Sequence, residues 1–207
     1  MSARTRLVGL LLFGSGFCAL VYQTTWLREF QLIFGGSTAA SAAVLGVFMA
    51  GLGFGGIILG QRSENKSRPL RFYAQLELLI AASAALSPLL ILAARYLYIA
   101  LGGTQTLGMF GGTIVRLILA AVIIGPPTFL MGGTLPVAAR AVVEPDDIPR
   151  RTVGLLYGAN GLGAVVGAAS GTFYFFENFG NRATLWMATI LNVVVALRAF
   201  SISRSRH

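Results

Sequence analysis

The chain has 207 residues, 56% of them hydrophobic and only 11% charged, with a formal net charge of +9. An ordinary soluble domain carries about 25% charged residues, so there is too little polar surface here to cover a globule in water. The sixteen Lys and Arg residues fall in short clusters between apolar runs rather than along one face, which argues against a nucleic-acid partner and marks them as topology signals.

Apolar runs of about 20 residues are long enough to cross the hydrocarbon layer. They predict an all-α integral membrane protein: a single transmembrane domain with the lipid bilayer as its solvent and about six helices, near 7–27, 38–60, 71–94, 114–139, 152–176 and 183–200. The first run follows Arg4 and Arg6 like a signal peptide, but no A-x-A-like cleavage site follows and further apolar segments do, so an uncleaved helix is expected. It holds the only cysteine, Cys18, which excludes an intrachain disulfide, and a polar stretch of Tyr22, Gln23 and Trp26.

The second run contains Gly51-Leu52-Gly53-Phe54-Gly55-Gly56, formally a dinucleotide fingerprint. That signature needs a strand, a turn and a helix, which a membrane span does not supply. The pairs Gly51/Gly55 and Gly56/Gly60 instead repeat at the four-residue interval that lets two helix backbones touch, and Gly163, Gly167 and Gly171 do the same on the fifth run. Both helices are expected to be interior. Asn65-Lys66-Ser67, in the loop that follows the second run, matches a glycosylation sequon by chance.

Glu77, on the third run, is the one acid well inside a predicted span. Charge there is costly unless paired or wet, so two roles are open: a structural ion pair with Arg62, Arg71 or Arg140, or a site for a proton or a cationic ligand. The fourth run carries Pro126-Pro127 and then Pro136. Consecutive prolines remove two amide donors and predict a helix break near mid-membrane, of the kind that frames substrate sites in transporters or else serves as a packing kink. On the fifth run Tyr157 and Asn160 fall at helical spacing and, with Tyr22 and Gln23, either line a polar cavity or bond across helices. The sole histidine is His207 and no metal or cofactor motif occurs, so none is expected.

Sorting the basic residues by loop places twelve on one side (Arg4, Arg6, Arg62, Lys66, Arg68, Arg71, Arg140, Arg150, Arg151, Arg198, Arg204, Arg206) and four on the other (Arg28, Arg95, Arg116, Arg182). The positive-inside rule then puts both termini in the cytoplasm, with Trp26 and Trp186 in the outer aromatic belt. Six spans also divide into two three-helix halves of opposite orientation, although no fixed-period repeat stands out.

Several stretches together resemble the membrane domain of the membrane-bound spermidine synthase-like proteins, in which a major-facilitator-like domain is fused to a spermidine synthase. They are 15–23 with Trp26, Val47–Gly53 leading to Gly60, Tyr73–Glu77, Phe129–Pro136 and Gly154–Ala164. The resemblance implies half of a facilitator-type fold, a bacterial cytoplasmic membrane, and added weight for Gln23, Glu77, Tyr157 and Asn160. The sequence departs from it in lacking the soluble aminopropyltransferase domain, and Gln61 stands about where the facilitator loop has an acid. Three functions are therefore carried forward. One is a module that binds or transports a small molecule, with a cationic, polyamine-like one as the candidate; the second is a non-transporting scaffold or accessory subunit, as a homo-oligomer or within a larger membrane complex. The third is the membrane part of an aminopropyltransferase whose catalytic domain is on another chain.

Overall fold

The structure, a computed structural model, describes residues 3–142 and 149–204; Arg206 and His207 lie outside the described residues. It contains α1 (Ala3–Phe34), α2 (Thr38–Glu64), α3 (Pro69–Ala100), α4 (Gly103–Arg140), α5 (Pro149–Ser170), a π-helical turn at Gly171–Phe175 and α6 (Phe176–Arg204). Five helical stretches are long and apolar enough to cross a membrane, the last being the continuous run Arg151–Arg204 of 54 residues. No strand occurs among the described residues. The helices overrun the predicted segments at most ends, because hydropathy reports the hydrocarbon depth whereas the backbone stays helical into the polar margin.

Two glycines punctuate these stretches. Gly108 in α4 (φ 67°, ψ −180°) and Gly180 in α6 (φ 74°, ψ 172°) are non-helical residues inside otherwise continuous helix, in a region of backbone space that a side chain disfavours. Past Gly180 the chain turns back. Gly14 lies against Val195, Cys18 donates to the Ala188 carbonyl and Asn181 donates to Glu29, so α6 runs antiparallel to α1. By contrast Gly163 meets Phe13 and Gly167 meets Phe17, so α5 runs parallel to α1.

Prolines do not break α4. Its only non-helical residue is Gly108, and the helix runs on through Pro126, Pro127 and Pro136. The carbonyls that Pro126 and Pro127 leave without an amide donor are those of Val122 and Ile123, whereas the Thr128 hydroxyl bonds the next two, of Ile124 and Gly125, at 2.7 and 3.0 Å; packing against neighbouring helices is what makes proline tolerable inside membrane helices. The expected mid-membrane break is thereby corrected to a continuous helix.

Packing repeats between the two halves. Helix α1 packs on α5 as α4 packs on α2, α1 packs on α6 as α4 packs on α3, and α3 packs on α6. Residues follow suit. Gly163 against the Phe13 carbonyl corresponds to Gly55 against the Phe129 carbonyl; Gly16 against the Asn160 carbonyl corresponds to Gly132 against the Leu52 carbonyl; and Gly167 against Phe17 corresponds to Gly133 against Leu59. Helices α1–α3 and α4–α6 are thus related by a pseudo-two-fold axis, with α1 and α4 in opposite directions. Glu77 and Asn192, which touch each other, are counterparts on α3 and α6.

The same glycines set the helix spacing. A Cβ at Gly51, Gly55, Gly132, Gly163 or Gly167 would overlap the neighbouring helix, mostly its backbone, whereas Gly56, Gly60 and Gly171 have only looser neighbours. Small residues are what permit such approach where lipid gives no hydrophobic drive between helices. Two apolar clusters fill the rest, one at the basic end around Leu12, Tyr73, Leu76 and Val137, and one toward the opposite end around Trp26, Phe30, Ile80 and Ile124.

Candidate functional site

Between α1, α3 and α6 lies a polar cluster wholly inside the bundle. Glu77 is fully buried, about 12 Å along α3 from Pro69 at 1.5 Å per residue. Asn192 Nδ2 donates to its carbonyl at 2.7 Å and to Oε2 at 2.9 Å. Ser15 and Tyr73 are its other polar neighbours, and Tyr73 spends its hydroxyl on the Leu11 carbonyl at 3.2 Å. Glu77 Oε1 and the Tyr22 hydroxyl are buried with no hydrogen-bond partner among the described residues. A carboxyl sealed among neutral groups is the costly arrangement that membrane interiors tolerate rarely.

This corrects the arginine pairing. Glu77 makes no ion pair among the described residues: its side-chain partner is Asn192, and Arg140 instead donates to the Glu64 carbonyl at 3.1 Å. The three arginines sit at helix ends, while Glu77 faces inward along α3. Sequence spacing gave the wrong partner, because Asn192 is 115 positions away.

The remaining candidates scatter. Tyr22 joins the cluster and stacks on Trp26 with ring centroids 5.6 Å apart. Trp26 is fully buried and donates Nε1 to Ser87 Oγ at 2.9 Å, so it is a core residue and not part of an interfacial belt; Trp186 is 48% exposed. Gln23 and Asn160 are half-buried, Asn160 at the α1–α5 contact, where its carbonyl abuts Gly16. Tyr157 is 66% exposed on the outer face of α5, since the neighbouring Leu156 takes the inward position. It does not meet Tyr22.

A second feature escaped the sequence reading. At the end of the bundle opposite the basic clusters, a cavity of about 430 Å³ opens between α1, α3 and α6. Thr25, Glu29, Arg95, Asn181 and Arg182 supply its polar lining, and Pro88, Ile91 and Leu185 are among its apolar walls. Glu29 Oε1 accepts from Asn181 Nδ2 at 2.9 Å. The Trp26–Ser87 bond lies between this vestibule and the Glu77 cluster, so the cavity stops short of Glu77.

Part of this lining is repeated at the basic end. Ser203, Ser67 and Leu70 correspond to Pro88, Arg182 and Leu185, and they line a smaller cavity of about 160 Å³ together with Arg4, Arg68 and Arg71. The match is confined to α3 and α6, since Arg4 of α1, and no residue of α4, completes the smaller cavity; an open cavity of about 660 Å³ lined by Arg71, Leu197, Phe200, Ser201 and Arg204 adjoins it at the basic end. Cavities thus open at both ends of the α3–α6 seam, with the Glu77–Asn192 pair between them. No group of His, Cys, Asp and Glu among the described residues is arranged to hold a metal ion. No family model, no curated protein and no solved structure matches the chain.

Proposed function

We propose that the chain is a six-span membrane module that binds a small molecule and exposes it alternately to the two faces of the bilayer. Helices α5 and α6 are separate crossings joined at Gly180, both termini lie on the cytoplasmic side with the basic clusters, and the bilayer is a bacterial cytoplasmic membrane. The single observation that carries the function is that cavities open at both ends of the α3–α6 seam, on either side of the Glu77–Asn192 pair. Inverted repeats with a site between them allow one half to rock against the other, exchanging which end is open. The Glu77–Asn192 pair, where the two halves meet, would be the fixed centre of such an exchange.

A cationic, polyamine-like ligand on Glu77 belongs to this reading only if the exchange opens a path to the carboxyl. The sealed Glu77–Asn192 pair and the close glycine packing support a second reading, a rigid scaffold or accessory subunit, within which an aminopropyltransferase partner chain is the third. The experiment that separates motion from scaffolding uses Pro88→Cys and Ser203→Cys together in a Cys18→Ser background. A bulky impermeant thiol adduct placed first on position 88 holds the vestibule opposite the basic clusters open. Labelling of position 203 from the other face then slows several-fold if the vestibules exchange, and proceeds at an unchanged rate if the bundle is rigid.

A further inference from the structure

The vestibule at the end opposite the basic clusters holds two guanidinium groups that the protein itself leaves unused. Arg95, from α3, and Arg182, from the start of the returning part of α6, line the same cavity, and neither has an ion pair or hydrogen bond among the described residues. The one carboxylate in the lining, Glu29, has Oε1 engaged by Asn181 instead. The lining therefore carries a net positive charge beside apolar walls formed by Ile91, Leu92 and Leu185.

We infer that this vestibule binds an amphiphilic anion, with a carboxylate or phosphate head between Arg95 and Arg182 and an apolar body against Ile91, Leu92 and Leu185. Guanidinium forks match both oxyanion types in bidentate geometry. The volume, about 430 Å³, lies in the range of about 300–1,000 Å³ usual for small-ligand pockets with mixed polar and apolar lining. The cavity opens at a membrane-facing end of the bundle, so the head group has two sources, a soluble medium-chain anion or an anionic lipid. The inference rests on the vestibule being a binding site, as proposed above, and does not need the vestibules to exchange. It also replaces the expected cation with an anion as the ligand of the accessible cavity.

The test is thermal unfolding of the purified full chain with octanoate, octyl phosphate or octyltrimethylammonium, each below its micellar concentration. Octanoate or octyl phosphate at about ten times its Kd raises the unfolding temperature by about 3–5 °C, and the cation gives no rise. The shift disappears in Arg95→Gln with Arg182→Gln, whose unliganded unfolding temperature stays near wild type because neither side chain has a partner to lose. Nanodiscs of phosphatidylglycerol and of phosphatidylcholine separate the sources: a stabilisation specific to phosphatidylglycerol and lost in the double variant assigns a lipid head group, and its absence beside an octanoate shift assigns a soluble anion. Stabilisation by the cation alone, an anion shift that survives in the double variant, or no shift with any anion overturns the inference. The labelling response between positions 88 and 203 is a separate readout, so failure here leaves the exchange of vestibules standing.

Discussion

Two glycines two positions apart on α5 are expected to respond to alanine with opposite sign. At Gly161 an added Cβ meets nothing within 4 Å, and at Gly163 it runs into the Phe13 carbonyl group and its Cα. In open space the change removes backbone entropy from the unfolded chain and favours helix, a gain of about 0.5–1 kcal/mol. At Gly163 the obstacle is backbone, which cannot rotate away, so α1 and α5 must separate by about an ångström. Overpacking costs typically about 1–3 kcal/mol, and a gap of about that size also forfeits a quarter to a half of each dispersion contact along the seam. A loss of about 3 kcal/mol is expected, roughly a hundredfold in the folding equilibrium at about 1.4 kcal/mol per tenfold. The counterparts on α2 extend the test, because Gly53 is open and Gly55 meets the Phe129 carbonyl. Reversible unfolding in mixed detergent should order the variants as Gly161→Ala and Gly53→Ala at or above wild type, and Gly163→Ala and Gly55→Ala well below. Similar stability for Gly161→Ala and Gly163→Ala would refute the close approach of α1 and α5.

Glu77→Gln keeps an acceptor for Asn192 and should change stability by less than about 1 kcal/mol, whereas Asn192→Leu strands the buried carboxyl and should cost about 2 kcal/mol or more; both are read by the same unfolding assay, and a large loss in Glu77→Gln would instead restore an ion-pair role. Pro127→Ala should leave helicity by circular dichroism unchanged and stability within about 1 kcal/mol, since α4 is already continuous there; a marked gain in helix would show that the prolines interrupt it. Trp26→Phe removes the bond to Ser87 and should cost about 1 kcal/mol, measured as a lowered unfolding midpoint, with no loss if Trp26 lies instead at the membrane surface.

What the sequence made legible follows from which interactions are local. Apolar run length marked the helices, and four-residue glycine spacing marked a packing face on α2 and on α5, because both are written within a single helix; the expectation that these two helices are interior fails, since each packs mainly on one neighbour, α4 or α1. Partners were not legible: nothing near Glu77 in the chain points to Asn192, and the arginines nearest in sequence were the wrong choice. The orientation of Tyr157 was lost for a similar reason, since a helix whose lipid face and packing face are both apolar offers no contrast to phase it. Pro126 and Pro127 misled because proline propensities describe helices in water, and close packing against neighbouring helices offsets them here. The inverted repeat was within reach. Residues 45–60 and 153–168 align without a gap, matching Gly46 with Gly154, Gly53 with Gly161 and Gly55 with Gly163, yet the other pairs are mostly apolar or small, with Leu52 opposite Asn160, and stand out only once the contacts pair them. The vestibule was invisible because Glu29, Arg95 and Arg182 come from three separate segment ends, each of which reads alone as an ordinary polar margin.

Six crossings with a reversal at Gly180 are the premise on which the two halves and their opposed vestibules depend, and sided labelling of single cysteines in a Cys18→Ser background tests it most directly. Ser67 lies at the basic end and Gln105 and Asn178 at the other, all three exposed. An impermeant thiol reagent applied to sealed, right-side-out vesicles should label cysteine at 105 and at 178, and should reach cysteine at 67 only after the membrane is opened. Labelling of 105 and 178 from different faces, or of 67 together with 105, would contradict the inverted arrangement of α1–α3 and α4–α6.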